Sequence, residues 1–297
     1  MSAVADAALP VTETPLRRSL AIFAENRLAV AATLVVLLVL LAAVLAPWLA
    51  PHDPYETDLF RRLQPPFWVA GGEMAFPLGC DALGRDILSR IIYGARISIF
   101  IGAAVILVAT TIGIVAGLAA GYLRGWPDIL ISRLVDILLG FPYLIFAIGL
   151  MAMMGPGLQN IILALAYKEW VIPCRVVRGE TLSVRELEYV EAARAAGASS
   201  LQVMRYEILP NILSPVLVVA TIRMAHVIIL EASLSFLGLG VQPPMASWGS
   251  MVADGRQFML QAWWVSTFPG LAILILVLAI NVASQGLRDA FDPKLHD

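Results

Sequence analysis

The sequence predicts an all-α membrane protein with six transmembrane helices, and two observations carry that prediction. Hydrophobic residues fill 60% of the 297 positions and charged residues only 14%, whereas soluble domains hold about 45–50% apolar and about 25% charged residues. Six apolar runs, each long enough to cross a bilayer core of about 30 Å, are separated by polar segments or by segments rich in proline and glycine. A chain of this kind is an integral membrane protein.

The composition also excludes several kinds of function. A net charge of −2 gives no reason to expect a nucleic-acid partner. The two cysteines, Cys80 and Cys174, are expected near opposite surfaces of the membrane, so they form no disulfide. No Walker A, HExxH or GxSxG pattern and no metal-ligand spacing occurs. We therefore expect no catalytic residue, no metal site and no cofactor of the chain's own.

The first element is a membrane anchor. Residues 1–15 are small and polar and are expected to be disordered. Arginines at positions 17, 18 and 27 precede the apolar run 28–50, which places the N-terminus in the cytoplasm. A cleaved signal peptide is the competing interpretation, but its apolar core would be only about 7–15 residues. We prefer an uncleaved first span.

An irregular external segment joins this span to the second. Six prolines between positions 47 and 77 argue against a folded domain. The segment ends in alternating charges, which are expected where surface chain becomes a span: Asp81, Arg85, Asp86 and Arg90. The simplest interpretation is an interfacial helix without a chemical role. The second span, 97–122, has small residues at a spacing that favours close helix packing: Gly113, Gly117 and Gly121.

The third and fourth spans carry charges. In the third, 129–153, Arg133 and Asp136 lie three residues apart, and we prefer an intrahelical pair to a role in the transport path. Phe141 and Pro142 predict a kink. A turn at positions 155–157 leads to the fourth span, 158–177. Its Lys168 and Glu169 form either a buried contact with another span or the edge of a water-filled path, and the sequence does not separate these alternatives.

The fifth and sixth spans enclose a glycine-rich loop. Arg223 and His226 lie in the fifth span, 212–230, where both a pathway or gating role and structural pairing are open. In the loop 231–256, glycines and prolines argue against a regular helix, so this backbone must be buried in protein or line a cavity. The sixth span, 267–284, follows a tryptophan pair suited to the membrane interface, and a short polar tail ends the chain.

The polar segment between the fourth and fifth spans, residues 183–211, is predicted to form a helical hairpin. Ser183 with Glu186 has the form of a capping box, Gly197 suits a left-handed stop, and Ser199 with Gln202 repeats the cap. Pro210 is expected to limit the second helix. A hairpin of a soluble domain would look similar, but the flanking spans favour a structured loop that contacts another protein.

The hairpin carries a family resemblance on six residues: Glu191, Ala192, Ala193, Gly197, Leu209 and Pro210. Their spacing resembles the EAA loop, by which permease subunits of bacterial ABC importers dock onto their ATPase subunits. Segments 78–99, 231–256 and 286–297 resemble signatures of the second permease of dipeptide, oligopeptide and nickel importers. The chain departs from the pattern at Glu207, at Lys168 and Glu169, and at residues 284–285.

The resemblance implies a type I ABC importer permease fold with a cytoplasmic coupling hairpin that rocks spans three to five. It implies that one set of residues meets the ATPase: Glu188, Glu191, Ala192, Ala193, Arg194, Gly197, Ala198, Leu209 and Pro210. A second set is assigned to the translocation path or gate: Asp136, Lys168, Arg223, His226, Glu231, Gly238 and Trp248.

The resemblance also implies a heteromeric complex. Its other members are a related permease, two ATPase subunits that bind ATP and magnesium, and an external substrate-binding protein. This chain is expected to be a multi-pass protein in the lipid of the bacterial inner membrane. Di- or oligopeptides are the preferred cargo, with nickel, glutathione or opines as alternatives. An ion-coupled secondary transporter and an intramembrane enzyme using His226 are remote alternatives, because the sequence shows no internal repeat and no partner for that histidine.

We divide the chain into a tail (1–27), a first span with its external segment (28–96), a permease core (97–284) and a second tail (285–297). Both tails are expected in the cytoplasm, because positive charge is concentrated in the segments assigned to that side. The residues concerned are Arg17, Arg18, Arg27, Arg124, Arg133, Arg175, Arg178, Arg185, Arg194, Arg205, Arg288 and Lys294.

Overall fold

The computed structural model describes residues 21–291, and the predictions for residues 1–15, Arg17, Arg18 and Lys294 lie outside that range. Within it the chain is built from helices, with one isolated antiparallel bridge between Cys80 and Asp86. The helices are α1 (Arg27–Val44), α2 (Ile87–Leu123), α3 (Gly125–Gly140), α4 (Tyr143–Met154), α5 (Leu158–Glu169), α6 (Val171–Val184), α7 (Glu188–Ala195), α8 (Ser200–Phe236), α9 (Trp248–Gly255) and α10 (Trp264–Phe291).

Four of these helices, α1, α2, α8 and α10, are long and apolar enough to cross a membrane. The bent pair α3 and α4 makes a fifth candidate if it is counted as one span. The first, second, fifth and sixth predicted spans coincide with the four long helices. The all-α membrane class predicted from the sequence is therefore confirmed.

The predicted kink at Phe141 and Pro142 is a complete break, because α3 and α4 meet at 93°. Phe141 has extended backbone angles of −88° and 136°, the conformation that a following proline imposes on its neighbour. The predicted fourth span is also divided: α5 ends at Glu169, α6 begins at Val171, and Trp170 joins them. Neither half reaches the length of a spanning helix.

The glycine row on α2 packs against α6, as its spacing predicts. A Cβ atom on Gly113 would lie 2.6 Å from the Pro173 Cβ, and one on Gly117 would lie 2.6 Å from the Val177 Cβ. One turn further, a Cβ on Gly121 would lie 2.7 Å from the Cβ of a threonine on α6. These distances are too short for any side chain, so the two backbones are in direct contact.

Apolar contacts also show which helix ends share a side of the bundle. Ala43 near the end of α1 and Ile87 at the start of α2 belong to one buried cluster. At the other end, Gly286 of α10 packs against Ala29 and Phe23. The start of α1, the end of α2 and the end of α10 therefore lie on the same side.

The segment between α1 and α2 is irregular, as its prolines predict, apart from short helical turns at Ala46–Leu49 and Leu59–Arg61. Asp86 caps α2 by accepting a hydrogen bond from the Ser89 amide at 2.9 Å. Cys80 is completely buried and unpaired, and Cys174 is likewise a free buried cysteine. The two thiols form no disulfide, as expected.

Candidate functional site

The first candidate site is the hairpin of α7 and the start of α8. Gly197 has φ +90°, and its amide donates to the Arg194 carbonyl at 2.9 Å, while the Ala198 amide donates to the Ala193 carbonyl at 3.1 Å. This pair of hydrogen bonds is a Schellman motif, which fixes the direction of the chain after α7. The predicted stop at Gly197 is confirmed.

The capping predictions were half right. Ser199 and Gln202 form a capping box at the start of α8, as predicted. Ser183, however, lies inside α6, and α7 starts later, after Leu187, without a side-chain cap. The predicted Ser183 box is wrong because the apolar packing of α6 extends that helix through the serine.

The prediction that Pro210 limits the second helix was also wrong. The segment Val203–Ile208 is a π-helical turn, and α8 continues from it to Phe236. Leu209 donates to the carbonyl of Met204, five residues back, and this wider turn accommodates a proline whose ring clashes in an ordinary α-helix. The hairpin is therefore continuous with a spanning helix.

The hairpin is fastened to the end of the bundle. Val190 and Val203 are buried in a cluster with Val177 of α6. Arg185 donates to the Tyr122 carbonyl at 2.7 Å, and the Arg194 guanidinium lies 5.1 Å from the centre of the Tyr122 ring. Because α2 ends at Leu123, the hairpin is on the side that holds the start of α1 and the end of α10.

The residues assigned to the ATPase contact fall into two groups. Ala193, Ala198 and Leu209 are partly buried against the bundle, and Arg194 is partly buried and donates to the Arg185 carbonyl at 3.3 Å. The remaining members are exposed on the hairpin: Glu188, Glu191, Ala192, Gly197 and Pro210. Four large side chains that the sequence reasoning missed are exposed beside them: Leu187, Tyr189, Leu201 and Tyr206.

The second candidate site is a polar cluster between α5 and α8. Glu169 is completely buried, and the Nε atom of Arg223 donates to its carboxylate. The Nη2 atom of Arg223 lies 2.9 Å from Nδ1 of His226, and that ring nitrogen is 3.8 Å from the carboxylate. Arg223 thus pairs with Glu169 across two helices, and His226 lies beside this pair in contact with Arg223. The sequence left open whether Glu169 makes a buried contact with another span or lines a water-filled path. In the structure it makes the buried contact with another helix.

Two neighbours complete this cluster. The Tyr143 hydroxyl donates to the Leu165 carbonyl at 2.7 Å, and its ring meets His226 edge-on at 5.5 Å. Lys168 donates to the Phe141 carbonyl, at the break between α3 and α4, where carbonyls lack helical partners. The carbonyl left free by the break and the buried amino group of Lys168 therefore satisfy each other's hydrogen-bonding capacity.

The predicted pair between Arg133 and Asp136 is wrong. Asp136 accepts from Arg175 of α6 at 2.6 Å, and Asp128 accepts from Arg178 of the same helix at 2.6 and 2.9 Å. These interhelical pairs form because α3 lies beside α6. Spacing along one helix does not show which other helix presents an arginine.

The third candidate site is the end of α8 and its loop. Glu231 is buried, accepts from the Ser235 hydroxyl at 2.7 Å and lies 3.4 Å from the Ser98 hydroxyl of α2. Trp248 donates through its ring nitrogen to the Ile91 carbonyl at 2.8 Å. Gly238 has φ +80°, which only glycine adopts readily. The contacts of Glu231 and Trp248 fasten the two helices that flank the loop to α2.

The extent of this loop differs from the prediction. The irregular segment covers only residues 237–247, because α8 continues to Phe236 and α9 begins at Trp248. Ser247 caps α9 in a capping box with Ser250. The glycine and proline content suggested a longer loop, but only Gly238 adopts a positive φ there among the glycines of segment 231–256.

A charged pocket of about 470 Å³ lies beside this loop. Asp81 stands 2.7 Å from Arg85 and 3.4 Å from Arg90, and Asp254 lies 3.9 Å from each of the two arginines. Burial raises the pKa of Asp254, opposed by the two guanidinium groups. The pocket is lined in addition by the loop residues Gly238, Gly240, Gln242, Pro243 and Pro244. In the described residues, no group of three potential metal ligands occurs.

Family models match most of the chain. Residues 113–297 match the binding-protein-dependent transport system inner membrane component. Residues 14–66 match the N-terminal TM domain of oligopeptide transport permease C.

Several named relatives match most of the chain. The chain is 44% identical over 285 residues to the di/tripeptide transport system permease protein DppC of Pseudomonas aeruginosa, covering 96% of this chain and 94% of the relative. It is 44% identical over 286 residues to the dipeptide transport system permease protein DppC of Escherichia coli, covering 96% and 95%. It is 46% identical over 260 residues to a peptide transport system permease protein of Brucella suis, covering 87% and 85%.

Solved structures support the fold. A chain of the inward-facing MetNI methionine ABC transporter superposes with a TM-score of 0.58 at 20% identity, covering 69% of this chain and 98% of that one. A chain of an amino acid ABC transporter superposes with a TM-score of 0.52 at 16% identity, covering 67% and 92%. The fold is that of type I ABC importer permeases.

Proposed function

This chain belongs to the family of binding-protein-dependent transport system inner membrane components and is a permease subunit of an ABC importer, and we propose that it imports di- or oligopeptides. The peptide transport named for relatives at 44% identity over nearly the whole chain supports this cargo. Nickel, glutathione and opines are the competing cargoes.

The exposed face of the hairpin supports a docking site for an ATPase subunit, one of two in the proposed complex that bind ATP and magnesium. Glu188 and Glu191 provide acidic contacts, and the exposed side chains of Leu187 and Tyr189 provide an apolar surface of the kind that protein interfaces bury. In this proposal the ATPase dimer closes and carries the hairpin with it.

The single observation that carries the coupling mechanism is the continuity of α8. The helix runs from the hairpin at Ser200 to the loop at Phe236, and it holds Arg223 and His226 in its middle and Glu231 near its far end. A displacement of the hairpin therefore moves the membrane-depth cluster and the loop together. Such rigid-body motion between two packings is the established form of alternating access.

We also propose the remaining members of the complex. A second, related permease covers the exposed face of α8, and an external substrate-binding protein delivers the cargo to the loop and its charged pocket. The chain lies in the bacterial inner membrane with both ends in the cytoplasm, an orientation supported by the positive charge on the hairpin side, where Arg185, Arg194 and Arg205 lie.

The test is transport by the reconstituted complex. The chain, its neighbouring permease, the two ATPases and the binding protein are placed in vesicles, and uptake of a labelled dipeptide, of glutathione and of nickel is measured with and without ATP. We expect dipeptide uptake that requires both ATP and the binding protein. Uptake of nickel alone would overturn the cargo, and uptake driven by an ion gradient without ATP would overturn the mechanism.

A further inference from the structure

The polar cluster of Lys168, Glu169, Arg223 and His226 has more basic than acidic groups. Lys168 and Arg223 are cations, whereas Glu169 is the only acid within ion-pair distance of Arg223 or His226 among the described residues. A charge at membrane depth is costly without a counter-ion, so such residues usually mark a substrate or ion path. One anionic group from elsewhere would balance the cluster.

The cluster is also open on one side. The Glu169 side chain is 0% exposed, while those of Arg223 and His226 are 21% and 40% exposed. The acid therefore lies behind the two basic groups, and the surface that the cluster presents is positive. A structural ion pair alone would not require this arrangement.

The hydrogen-bond pattern determines what the exposed atoms can do. An arginine only donates, so Nδ1 of His226 must accept from Nη2 of Arg223 and the ring proton lies on Nε2. Neither Nε2 of His226 nor Nη1 of Arg223 makes a hydrogen bond to any described residue, and neither is enclosed by protein. Two unused donors, one of them charged, thus lie on neighbouring side chains. A carboxylate has two oxygens that accept such donors.

A cleft lies further along the same helix. It has a volume of about 360 Å³ and is lined by Leu144 of α4, by the face of α8 that includes Ile229 and Ser233, and by residues of α9 and α10. His226 lies three residues before Ile229, on the same face of α8. The other lining residues are apolar side chains and a glycine. The Arg256 guanidinium lies 5.2 Å from the ring of Phe236, which also lines the cleft.

We propose that Arg223 and His226 bind the carboxylate of the imported substrate as it crosses the membrane, with Glu169 holding Arg223 in position and Arg223 in turn orienting His226. This inference rests on the proposed function, because every peptide with a free C-terminus carries a carboxylate. It assigns the selection of an anionic group to the permease in addition to any selection by the binding protein.

The test uses the complete complex in vesicles, with the binding protein saturated with Ala-Ala, and measures initial uptake and binding-protein-stimulated ATP hydrolysis together. Arg223→Gln removes the charged donor, and we expect uptake to fall about tenfold, the loss typical of one charged hydrogen bond. Arg223→Lys retains the charge and should keep most of the uptake. The matched control is Arg133→Gln, which removes an arginine of α3 outside the cluster and should leave uptake unchanged.

A charge exchange separates binding from structure. The double variant Glu169→Arg with Arg223→Glu restores an ion pair but reverses the charge on the exposed side. Uptake that stays low in this variant supports the carboxylate site, whereas restored uptake would show a purely structural pair. If Arg223→Gln does not assemble, His226→Phe removes the second donor while leaving the Glu169–Arg223 pair, and wild-type uptake by that variant would overturn the proposal.

A carboxylate of the related permease is the rival occupant. If it fills the site, the ratio of Ala-Ala uptake to uptake of its C-terminal amide, Ala-Ala-NH2, at saturation should be the same in the wild type and in Arg223→Gln, and that result would overturn the proposal. A substrate site predicts a ratio that falls in the variant. The proposed function fails separately: a wild-type complex that imports no dipeptide refutes the cargo, whereas unchanged import by Arg223→Gln refutes only the carboxylate site.

Discussion

At the scale of single residues, charged side chains in this bundle take their partners from other helices. Asp136 pairs with Arg175 of α6 instead of Arg133 on its own helix, and Glu169 pairs with Arg223 of α8. The reason is electrostatic. The Glu169–Arg223 pair neutralises a fully buried carboxylate. Asp136 and Arg175 are each 54% exposed, so their pair joins two helices but contributes only about 0–1 kcal/mol.

Cys80 provides a prediction at this scale. Burial, followed by the negative charges of Asp86 and Asp81, raises the pKa of Cys80 to about 12. In a Cys174→Ser background we expect Cys80 to react negligibly with N-ethylmaleimide at pH 8, because the reactive thiolate is nearly absent and the sulfur is enclosed. The unfolded protein should react at once. The measurement is mass-shift labelling in native and detergent-denatured samples.

A cysteine at the exposed position of Met74 serves as the control. Met74→Cys, in a background without both natural cysteines, should label rapidly at the same pH, and equal rates at the two sites would contradict the prediction. The raised pKa of Cys80 also determines how the stability of the fold changes with pH. The folded state keeps the proton between pH 9 and about 12, so the thiol stabilises the fold less as pH rises through that window.

At the scale of elements, small residues determine how closely two helices approach. The contact between α2 and α6 has no room for a side chain at Gly117, where a Cβ would lie 2.6 Å from Val177 and 2.7 Å from the Cys174 carbonyl. The hairpin depends on a different property of glycine. Gly197 has open space around it, and only its positive φ requires glycine.

Gly117→Val should therefore destabilise the permease by about 1–3 kcal/mol through overpacking. We expect a lower midpoint of thermal unfolding for the purified complex and less protein in the membrane. The control is Gly179→Val in α6, the same change at a glycine with no atom within 4 Å of its added Cβ. If both variants unfold at the same temperature, helix propensity and not the contact explains the loss.

At the scale of the whole molecule, one helix connects three sites. The hairpin at the start of α8, the cluster in its middle and Glu231 near its end are parts of one continuous element. The break between α3 and α4 and the junction at Trp170 divide the neighbouring helices into shorter pieces. The continuous helix can transmit a displacement, and the divided helices are able to change their packing around it.

Coupling is tested by the hairpin variants Glu191→Lys and Gly197→Val. The first reverses an exposed charge, and the second forces a β-branched residue into a left-handed conformation at a cost of about 1–2 kcal/mol. Both should insert at normal levels, yet lose dipeptide uptake and stimulated ATP hydrolysis. Gly197→Asn, which tolerates positive φ better, is the control and should retain activity. Normal transport by both test variants would refute coupling through the hairpin.

The sequence by itself determined the class of the protein, the four long spans, the glycine contact and the turn at Gly197. Each follows from local chemistry: apolar length, small side chains or a backbone angle that one residue adopts. Only the tertiary structure decided the partners of Glu169 and Asp136, the hydroxyls around Glu231 and the continuation of α8 through Pro210. Those features depend on which helices become neighbours, and residues as far apart as Glu169 and Arg223 meet only through long-range packing.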